Sequence, residues 1–270
     1  MEEMIGNPMK WHEIYQERLT TAEEAVKLIK SHDHVIIGHC ICEPTGLIDA
    51  MVANHDAYRG VHITHMVSLG KGEYTDPKYK DNFTFDGIFF GAGTRNSIAH
   101  GNGDVIPVYF SELPIWMRRG ILNFDVCLVM VSPPDQWGYC NLGIHSEMIA
   151  DGVMDLVEAG VIDCSEKTLH KGQIVVTFLM GTKRLYDFAD HNPMLMLRPV
   201  DYVNDPTVIA KNNKMVSINS ALQVDFMGQV VAASIGTKQF SGVGGQVDFV
   251  RALPEQRTAK GSPSLPCPPS

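Results

Sequence analysis

Short apolar runs alternate with segments of helical periodicity along most of this chain, and this alternation constrains the fold more than any other feature. The run 34–38 ends in glycine and the run 84–90 closes on Gly91, as buried strands commonly do where they enter a turn. Strands that alternate with helices are typical of an open, mostly parallel sheet. We therefore predict an α/β fold, with strands at 34–38, 61–67, 84–90, 108–113, 125–131, 174–179, 195–199 and 215–218.

The predicted helices are marked by start signals. Thr21 followed by Glu24 is the capping-box pattern, in which a hydroxyl and a carboxylate satisfy the first free N–H groups of a helix. Residues 132–145 are rich in proline and glycine, which predicts a loop. Helices are predicted within 11–31, 47–53, 116–120 and 148–159, and a hairpin is predicted for 222–226 with 229–233.

Charge and composition exclude several classes of protein. The 270 residues carry a formal net charge of −9 and no long basic run, which argues against a nucleic-acid partner. The apolar run 124–131 is far too short to span a bilayer. The acidic start, Met1-Glu2-Glu3-Met4, lacks the basic-then-apolar pattern of a signal peptide. We therefore expect a cytoplasmic protein that binds neither membrane nor nucleic acid.

Neither the histidines nor the cysteines follow a metal-binding pattern. His62 and His65 lie three apart on a predicted strand, so they point to opposite faces. Six cysteines in 270 residues are too few for a disulfide scaffold. Cys40 and Cys42 are separated by one residue, which is not a usual zinc spacing. We expect small buried residues at these two positions and no bound metal.

Glu147 is the first residue suited to chemistry. It stands among apolar neighbours between a predicted loop and a predicted helix. Burial would raise the pKa of its carboxyl group, and nearby donors would lower it again. Such a glutamate can serve as a nucleophile or a base. A helix-capping or ion-pairing glutamate fits the local pattern as well.

A glycine-rich segment is the second candidate. Gly242, Gly244 and Gly245 occupy three of four consecutive positions, which allows close backbone approach and leaves N–H groups free. This suits a phosphate, a pyrophosphate or an oxyanion hole. The spacing differs from the dinucleotide-binding fingerprint. A tight structural turn is the alternative.

Both candidates lie in longer stretches that match one known family. The stretches are residues 11–25, 132–139 (Ser-Pro-Pro-Asp-Gln-Trp-Gly-Tyr), 143–152 (Gly-Ile-His-Ser-Glu-Met-Ile-Ala-Asp-Gly), 217–225 (Ser-Ile-Asn-Ser-Ala-Leu-Gln-Val-Asp) and 241–249 (Ser-Gly-Val-Gly-Gly-Gln-Val-Asp-Phe). With them the chain resembles the acetyl-CoA hydrolase/transferase family over nearly all of residues 8–250. Within that family it most resembles the butyryl-CoA:acetate and 4-hydroxybutyrate CoA-transferases.

The resemblance implies a role for each candidate. The family glutamate that matches Glu147 attacks the acyl-CoA carbonyl, and a glutamyl-CoA thioester follows through an acyl-glutamyl anhydride. Gly242, Gly244 and Gly245 match the family's CoA-contacting loop. The substrates implied are a short-chain acyl-CoA (butyryl-CoA or 4-hydroxybutyryl-CoA) and a carboxylate such as acetate. The resemblance implies no permanently bound cofactor, since coenzyme A is itself the substrate, and it implies a homo-oligomer.

The resemblance also implies two open, mostly parallel α/β sheet domains of the CoA-transferase type. We expect the first over residues 1–140 and the second, incomplete and carrying Glu147, over residues 141–250. Family members have a sizeable stretch, with a second glycine-rich loop, between two motifs that are almost fused here at Cys140-Asn141.

The proline-rich residues 251–270 depart from the family pattern, and we expect them to be a disordered tail. A frame-shifted reading of the family sequence would explain them. The functional alternatives to a transferase are an acyl-CoA hydrolase and an inactive, truncated relative.

Overall fold

The computed structural model describes residues 8–140, 148–149 and 151–253. They divide into two compact units. The first unit takes the described residues up to Asp104 and from Phe124 to residue 140, and the second takes Val105–Asn123 and the described residues from 148 onward. In these ranges, no helix has both the length and the apolar character needed to cross a bilayer.

The first unit is built on a five-stranded sheet with the strand order β4-β3-β2-β1-β5. Strand β1 (His34–Ile37) pairs in parallel with β2 (Val61–His65) on one side and with β5 (Val126–Leu128) on the other. Strand β2 also pairs in parallel with β3 (Phe83–Gly87), and β4 is Gly103–Val105. The predicted α/β class, with a parallel sheet, is confirmed.

The strand register aligns the core of this sheet. Val35 lies opposite Ile63 and Val126, and Ile63 lies opposite Phe85. Val35, Ile63 and Phe85 are buried. Each such apolar side chain stabilises the fold by about 1.5–3 kcal/mol relative to an exposed one. The helix α3 (Thr45–Ala53) adds the buried residues Ile48, Met51 and Val52 at helical spacing.

The N-terminal helices form as the sequence predicts, but in two pieces. The helix α1 (Pro8–Arg18) is followed by α2 (Ala22–Ala25). The hydroxyl of Thr21 accepts a hydrogen bond from the Glu24 N–H at 3.3 Å, so the predicted N-cap is confirmed. Short 3-10 helices in this unit are Val26–Leu28, Cys40–Cys42, His55–Ala57, Glu73–Thr75 and Pro77–Tyr79.

The described strands of the second unit form two-stranded sheets. Its strands are β6 (Met148–Ile149), β7 (Ile174–Val176), β8 (Phe178–Leu179), β9 (Leu195–Leu197), β10 (Gln223–Val224), β11 (Val230–Val231), β12 (Ser234–Ile235) and β13 (Lys238–Gln239). The pairs β6-β8 and β7-β9 are parallel, whereas β10-β11 and β12-β13 are antiparallel hairpins. The first of these hairpins is the one predicted from the sequence. The helices are α4 (Leu113–Arg118), α5 (Asp151–Glu158), α6 (Lys183–Ala189), α7 (Val200–Val203), α8 (Pro206–Ile209) and α9 (Gln246–Ala252).

Two predicted strands are wrong. The run 108–113 leads through a 3-10 turn, Phe110–Glu112, into α4. Pro114 lies in the first turn of α4, where its missing N–H costs no intrahelical hydrogen bond. The run 215–218 forms no strand because none of the described segments pairs with it, and Ile218 stays 91% exposed.

Two other elements have different bounds from those predicted. The run 174–179 is split at Thr177, and its halves β7 and β8 pair with different strands. The helix predicted from residue 148 begins instead at Asp151. Met148 and Ile149 form the strand β6, which pairs with β8. In both cases a tertiary strand partner overrides the local pattern.

His65 is buried at the carboxyl end of β2. Its Nδ1 is 2.9 Å from the Tyr74 hydroxyl, and both side chains are almost fully enclosed. Burial lowers the pKa of His65 to about 4, and the backbone of Gly38 offsets this only in part. His65 Nε2 has no hydrogen-bond partner of normal geometry among the described residues, so burial dominates. His65 is therefore neutral in the folded protein at physiological pH.

We expect the first unit to lose stability as the pH falls from about 6.5 to about 4. In this window the unfolded chain protonates His65 at its ordinary pKa, whereas the folded chain does not, so acid favours unfolding. The contribution is fully present above the unfolded pKa, and its loss amounts to about 3 kcal/mol. Hydrogen exchange of the β2 amides, followed between about pH 7 and about pH 4.5, measures it.

The matched control compares His65→Gln with His100→Gln, a substitution at an exposed histidine of the same unit. The first should flatten the pH dependence of opening, and the second should leave it unchanged. Equal slopes for wild type and His65→Gln would contradict the assignment.

Candidate functional site

Glu147, the predicted nucleophile, lies outside the described residues. Met148, Ile149 and the residues from Asp151 to residue 253 are described. Met148 and Ile149 form β6, and the Asp151 carboxylate accepts hydrogen bonds from the Thr182 N–H (3.2 Å) and hydroxyl (3.0 Å). The segment that follows Glu147 is therefore anchored in the second unit by a parallel strand pair and by Asp151.

The glycine-rich segment forms a loop that leads from β13 into α9. Gly242 is buried, Gly244 has a φ of +63°, and Gly245 is the N-cap of α9. A residue with a Cβ would cost roughly 1–2 kcal/mol in the left-handed conformation of Gly244. The turn therefore favours glycine at this position, whatever the loop binds.

Ser241 begins this loop and has an unused polar group. Its side chain is 7% exposed, and its Oγ has no hydrogen-bond partner among the described residues. A buried hydroxyl without a partner costs about 1–3 kcal/mol, so native proteins seldom retain one without a reason. A ligand held against the loop would supply the missing partner.

The loop is held in place by Asp248, one turn into α9. This carboxylate is completely buried and accepts hydrogen bonds from the Ser111 N–H (3.2 Å), the Ser111 hydroxyl (2.8 Å) and the Asn204 amide (3.3 Å). A buried carboxylate is tolerated only when such donors surround it. Asp248 therefore fixes the start of α9 and, with it, the glycine loop.

A second buried carboxylate lies in the first unit, just beyond the carboxyl end of β1. Glu43 is 6% exposed and accepts hydrogen bonds from the Ser68 hydroxyl (3.1 Å), the Leu69 N–H (2.7 Å) and the Gly70 N–H (2.9 Å). A Cβ on Gly70 would lie 2.5 Å from Glu43 Oε1, so a side chain there would displace the Glu43 carboxylate from its donors. Glu43 thus clamps the loop that leaves β2.

Glu43 lies at the edge of the sheet, beyond the carboxyl ends of the strands, where open α/β sheets commonly bind ligands. Strand β1 lies between β2 and β5, so the direction of strand order reverses at β1. Ligands of open α/β sheets bind beyond the carboxyl ends of the strands at such a point. Glu43 and residues 68–70 line this edge of the first unit.

Cys40 and Cys42 lie beside Glu43, and both are buried, as predicted. Burial raises the pKa of Cys40 to about 12, helped by the neighbouring Cys42 and Glu43, and burial raises the pKa of Cys42 as well. Both thiols are therefore protonated at neutral pH and are poor metal ligands. Throughout the part of the chain that the structure describes, no three His, Cys, Asp or Glu side chains are arranged to hold a metal ion.

The sequence reasoning missed the two carboxylates that order these loops. Asp248 lies in the family stretch 241–249, four residues after Gly244, yet nothing in the local sequence distinguishes it from an exposed helical aspartate. Glu43 had a usable signal, since an acidic residue just past the end of a predicted parallel strand lies at the ligand-binding edge. The three predicted glycines do lie together on one loop, and Ser241, which was not singled out, belongs with them.

Two family models match the chain. The acetyl-CoA hydrolase/transferase N-terminal domain matches residues 5–207, and the C-terminal domain of the same family matches residues 181–266.

Curated relatives agree with these matches. The 4-hydroxybutyrate coenzyme A transferase of Clostridium kluyveri is 39% identical, over 96% of this chain and 83% of the relative. The butyryl-CoA:acetate CoA-transferase of Anaerostipes caccae is 26% identical, over 90% of this chain and 78% of the relative.

Solved structures share the fold. RipA from Yersinia pestis superposes with a TM-score of 0.81 at 24% identity, covering 91% of this chain and 81% of RipA. The 4-hydroxybutyrate CoA-transferase from Porphyromonas gingivalis superposes with a TM-score of 0.71 at 24% identity, covering 91% of this chain and 80% of that one.

The chain lacks internal residues that the Clostridium kluyveri relative has. The alignment with the Clostridium kluyveri enzyme has 357 positions but takes in 96% of 270 residues, or about 259, so about 98 positions of the relative (357 minus 259) face no residue here. This difference agrees with the internal shortening expected from the sequence. The N-terminal family model matches residues 5–207, and the Clostridium kluyveri relative is 39% identical over 96% of this chain. The chain therefore belongs to the acetyl-CoA hydrolase/transferase family, as a CoA-transferase-type enzyme by homology.

Proposed function

We propose that this chain moves CoA between a short-chain acyl-CoA, such as butyryl-CoA or 4-hydroxybutyryl-CoA, and acetate, with Glu147 as the nucleophile. Family membership supports the reaction class. The relatives named as 4-hydroxybutyrate and butyryl-CoA:acetate transferases support the choice of substrates.

The proposed reaction begins when the Glu147 carboxylate attacks the thioester carbonyl. The C–S bond breaks, CoA leaves as the thiolate, and an acyl-glutamyl anhydride remains. The thiolate then attacks the glutamyl carbonyl, the C–O bond of the anhydride breaks, the carboxylate leaves, and a glutamyl-CoA thioester remains. Acetate repeats these steps in reverse and leaves as acetyl-CoA. Because the thioester energy stays in a covalent link, no other reactant is required.

The observation that best supports CoA contact is the Ser241–Gly245 loop. It combines a buried Oγ that lacks a partner among the described residues with a glycine in the left-handed conformation. The loop is held by the Asp248 hydrogen bonds. A loop ordered in this way loses little conformational entropy when it binds. We propose that Gly242, Gly244 and Gly245 contact CoA through their backbone.

Glu147→Ala should abolish transfer, lowering kcat for butyryl-CoA plus acetate by about 10³-fold or more because the nucleophile is gone. Chromatographic detection of acetyl-CoA measures this. Wild-type protein incubated with butyryl-CoA alone should also carry CoA, less one water, on the peptide that contains Glu147. Mass spectrometry of the digested protein detects that adduct.

The matched control is Glu158→Ala, which removes an exposed glutamate of α5 whose ion pair with Arg184 is a surface one. It should retain wild-type activity. Equal activity in wild type and Glu147→Ala would reject the nucleophile. A wild-type chain with neither activity nor adduct would instead be an inactive relative.

Acyl-CoA hydrolysis is the second candidate function, and the internal shortening favours it. Transfer requires that water be kept from the anhydride and the thioester, and a chain about 98 aligned positions shorter than its relative has less protein with which to do so. The same Glu147 intermediate would then be captured by water.

The two functions differ in the fate of the CoA thiol. For a transferase, butyryl-CoA without acetate should release almost no free thiol, because the thiolate is recaptured as the glutamyl-CoA thioester, and acetate should produce acetyl-CoA without net thiol. A colorimetric thiol assay with and without acetate measures this. Continuous acetate-independent release of thiol, lost in Glu147→Ala, would favour the hydrolase.

Ser241→Ala separates binding from stability. Removing a buried hydroxyl that lacks a partner should leave the stability unchanged or raise it by up to about 1 kcal/mol. If the hydroxyl forms a hydrogen bond with CoA, the Kd of Ser241→Ala for CoA should be about 10-fold higher than that of the wild type. Thermal unfolding and calorimetric titration with CoA measure the two effects.

Ser234→Ala, in the neighbouring β12-β13 hairpin, serves as the control and should not change CoA binding. A Kd for CoA in Ser241→Ala equal to that of the wild type would show that the Ser241 hydroxyl does not contact CoA.

A further inference from the structure

The second unit contains a cavity that the proposed reaction does not use. Its volume is ≈ 560 Å³, within the roughly 300–1,000 Å³ range of small-molecule sites. Much of its wall is apolar, formed in part by Val175, Val208, Ile209 and Phe249. Its polar side carries Lys167, His170 and Tyr202.

Lys167 is the only lysine or arginine among the described residues that line this cavity. Its Nζ donates one hydrogen bond to the Gln173 carbonyl at 2.7 Å, and it forms no ion pair within the described ranges. An ammonium group has three donors. Burial also lowers the pKa of Lys167, so its charge is poorly solvated. A bound anion would restore the solvation that the cavity removes.

The polar side is held rigidly by the loop on which it lies. The Gly172 N–H donates to the Cys164 carbonyl at 2.8 Å and closes the loop, while the Leu169 N–H donates to Asn212 Oδ1 at 3.0 Å. His170 Nε2 lies 2.7 Å from the Tyr202 hydroxyl. This pair can offer a donor to the cavity when Nε2 carries the proton, because the Tyr202 hydroxyl is then free to donate.

Two acidic residues also line the cavity, and both are exposed. The Asp163 carboxylate accepts the Ser165 N–H at 2.9 Å, which lowers the pKa of Asp163 and leaves it charged. Glu166 is likewise exposed to solvent. The acidic groups therefore belong to the rim, where water screens them, whereas the cation is half-buried.

We propose that this cavity binds an aliphatic monocarboxylate, with the carboxylate against Lys167 and the His170–Tyr202 pair and the alkyl chain against the apolar wall. Lys167 supplies the charge, and the apolar residues supply the contact for the chain. The inference does not rest on the proposed transfer reaction, because it follows from the residues of the cavity.

Calorimetric titration of the full chain with hexanoate, hexan-1-ol and hexylamine tests the proposal without any acyl-CoA. Hexanoate should bind at least about 10-fold more tightly than the alcohol or the amine. Lys167→Met, which keeps the length of the side chain, should weaken hexanoate binding by about 10-fold or more. Lys167→Arg should restore most of it.

Lys171→Met is the matched control, since Lys171 is an exposed lysine of the same loop outside the lining. It should bind hexanoate as wild type does, and the thermal unfolding of every variant should remain cooperative. No binding of hexanoate, equal binding of hexanoate and hexan-1-ol, or equal hexanoate affinity in wild type and Lys167→Met would overturn the proposal. Hexanoate bound at the proposed transfer site would be unaffected by Lys167→Met, so the comparison of Lys167→Met with Lys171→Met reports on this cavity whether or not the chain transfers CoA.

Discussion

The buried carboxylate of Asp248 is the interaction on which the glycine loop of the second unit depends. It is completely buried, and among the described residues its hydrogen-bond donors are Ser111 and Asn204. Ser111 precedes it in the chain by 137 residues, so a long-range contact orders a local loop. Removal of the carboxylate would leave these donors unpaired, which costs about 1–3 kcal/mol for each buried group. Glu43 orders residues 68–70 of the first unit by the same means.

Satisfied and unsatisfied polar groups mark different roles in this structure. Asp248 and Glu43 are surrounded by donors, and so they belong to the framework that holds the loops. Ser241 Oγ is buried without a partner among the described residues, and Lys167 is half-buried with a single carbonyl acceptor. Native structures pair nearly all buried polar atoms, so unused capacity beside a glycine-rich loop or in a cavity wall is a reason to propose a ligand there. The glycine loop and the cavity are proposed as binding sites for that reason. His65 Nε2 and Asn204 Oδ1 also lack a partner among the described residues, but they lie in the packed interior and mark no such site.

The parts of the fold predicted from the sequence are those that depend on local pattern. The strands β1, β2, β3 and β5 carry β-branched and aromatic residues between turn signals, and Thr21 caps α2. The failures came where a segment's fate depends on a partner. Residues 215–218 have a strand's composition but pair with no strand among the described residues, and residues 174–179 divide because β7 and β8 pair with different strands. The glycine loop was predicted from its residues, but Asp248 and Glu43 were not, because burial cannot be read from one residue's neighbours in sequence.

The sequence by itself determined the α/β class and the family, since apolar periodicity and long motifs are properties of consecutive residues. Its motifs also brought Glu147, Gly242, Gly244 and Gly245 forward as candidates. Only the tertiary structure decided which polar groups are buried, which of them have partners, and that residues such as Lys167, Tyr202 and Phe249 border one cavity. The physical reason is that desolvation and hydrogen bonding depend on atoms that are distant in the chain, such as Ser111 and Asp248, and that become neighbours only when the chain folds.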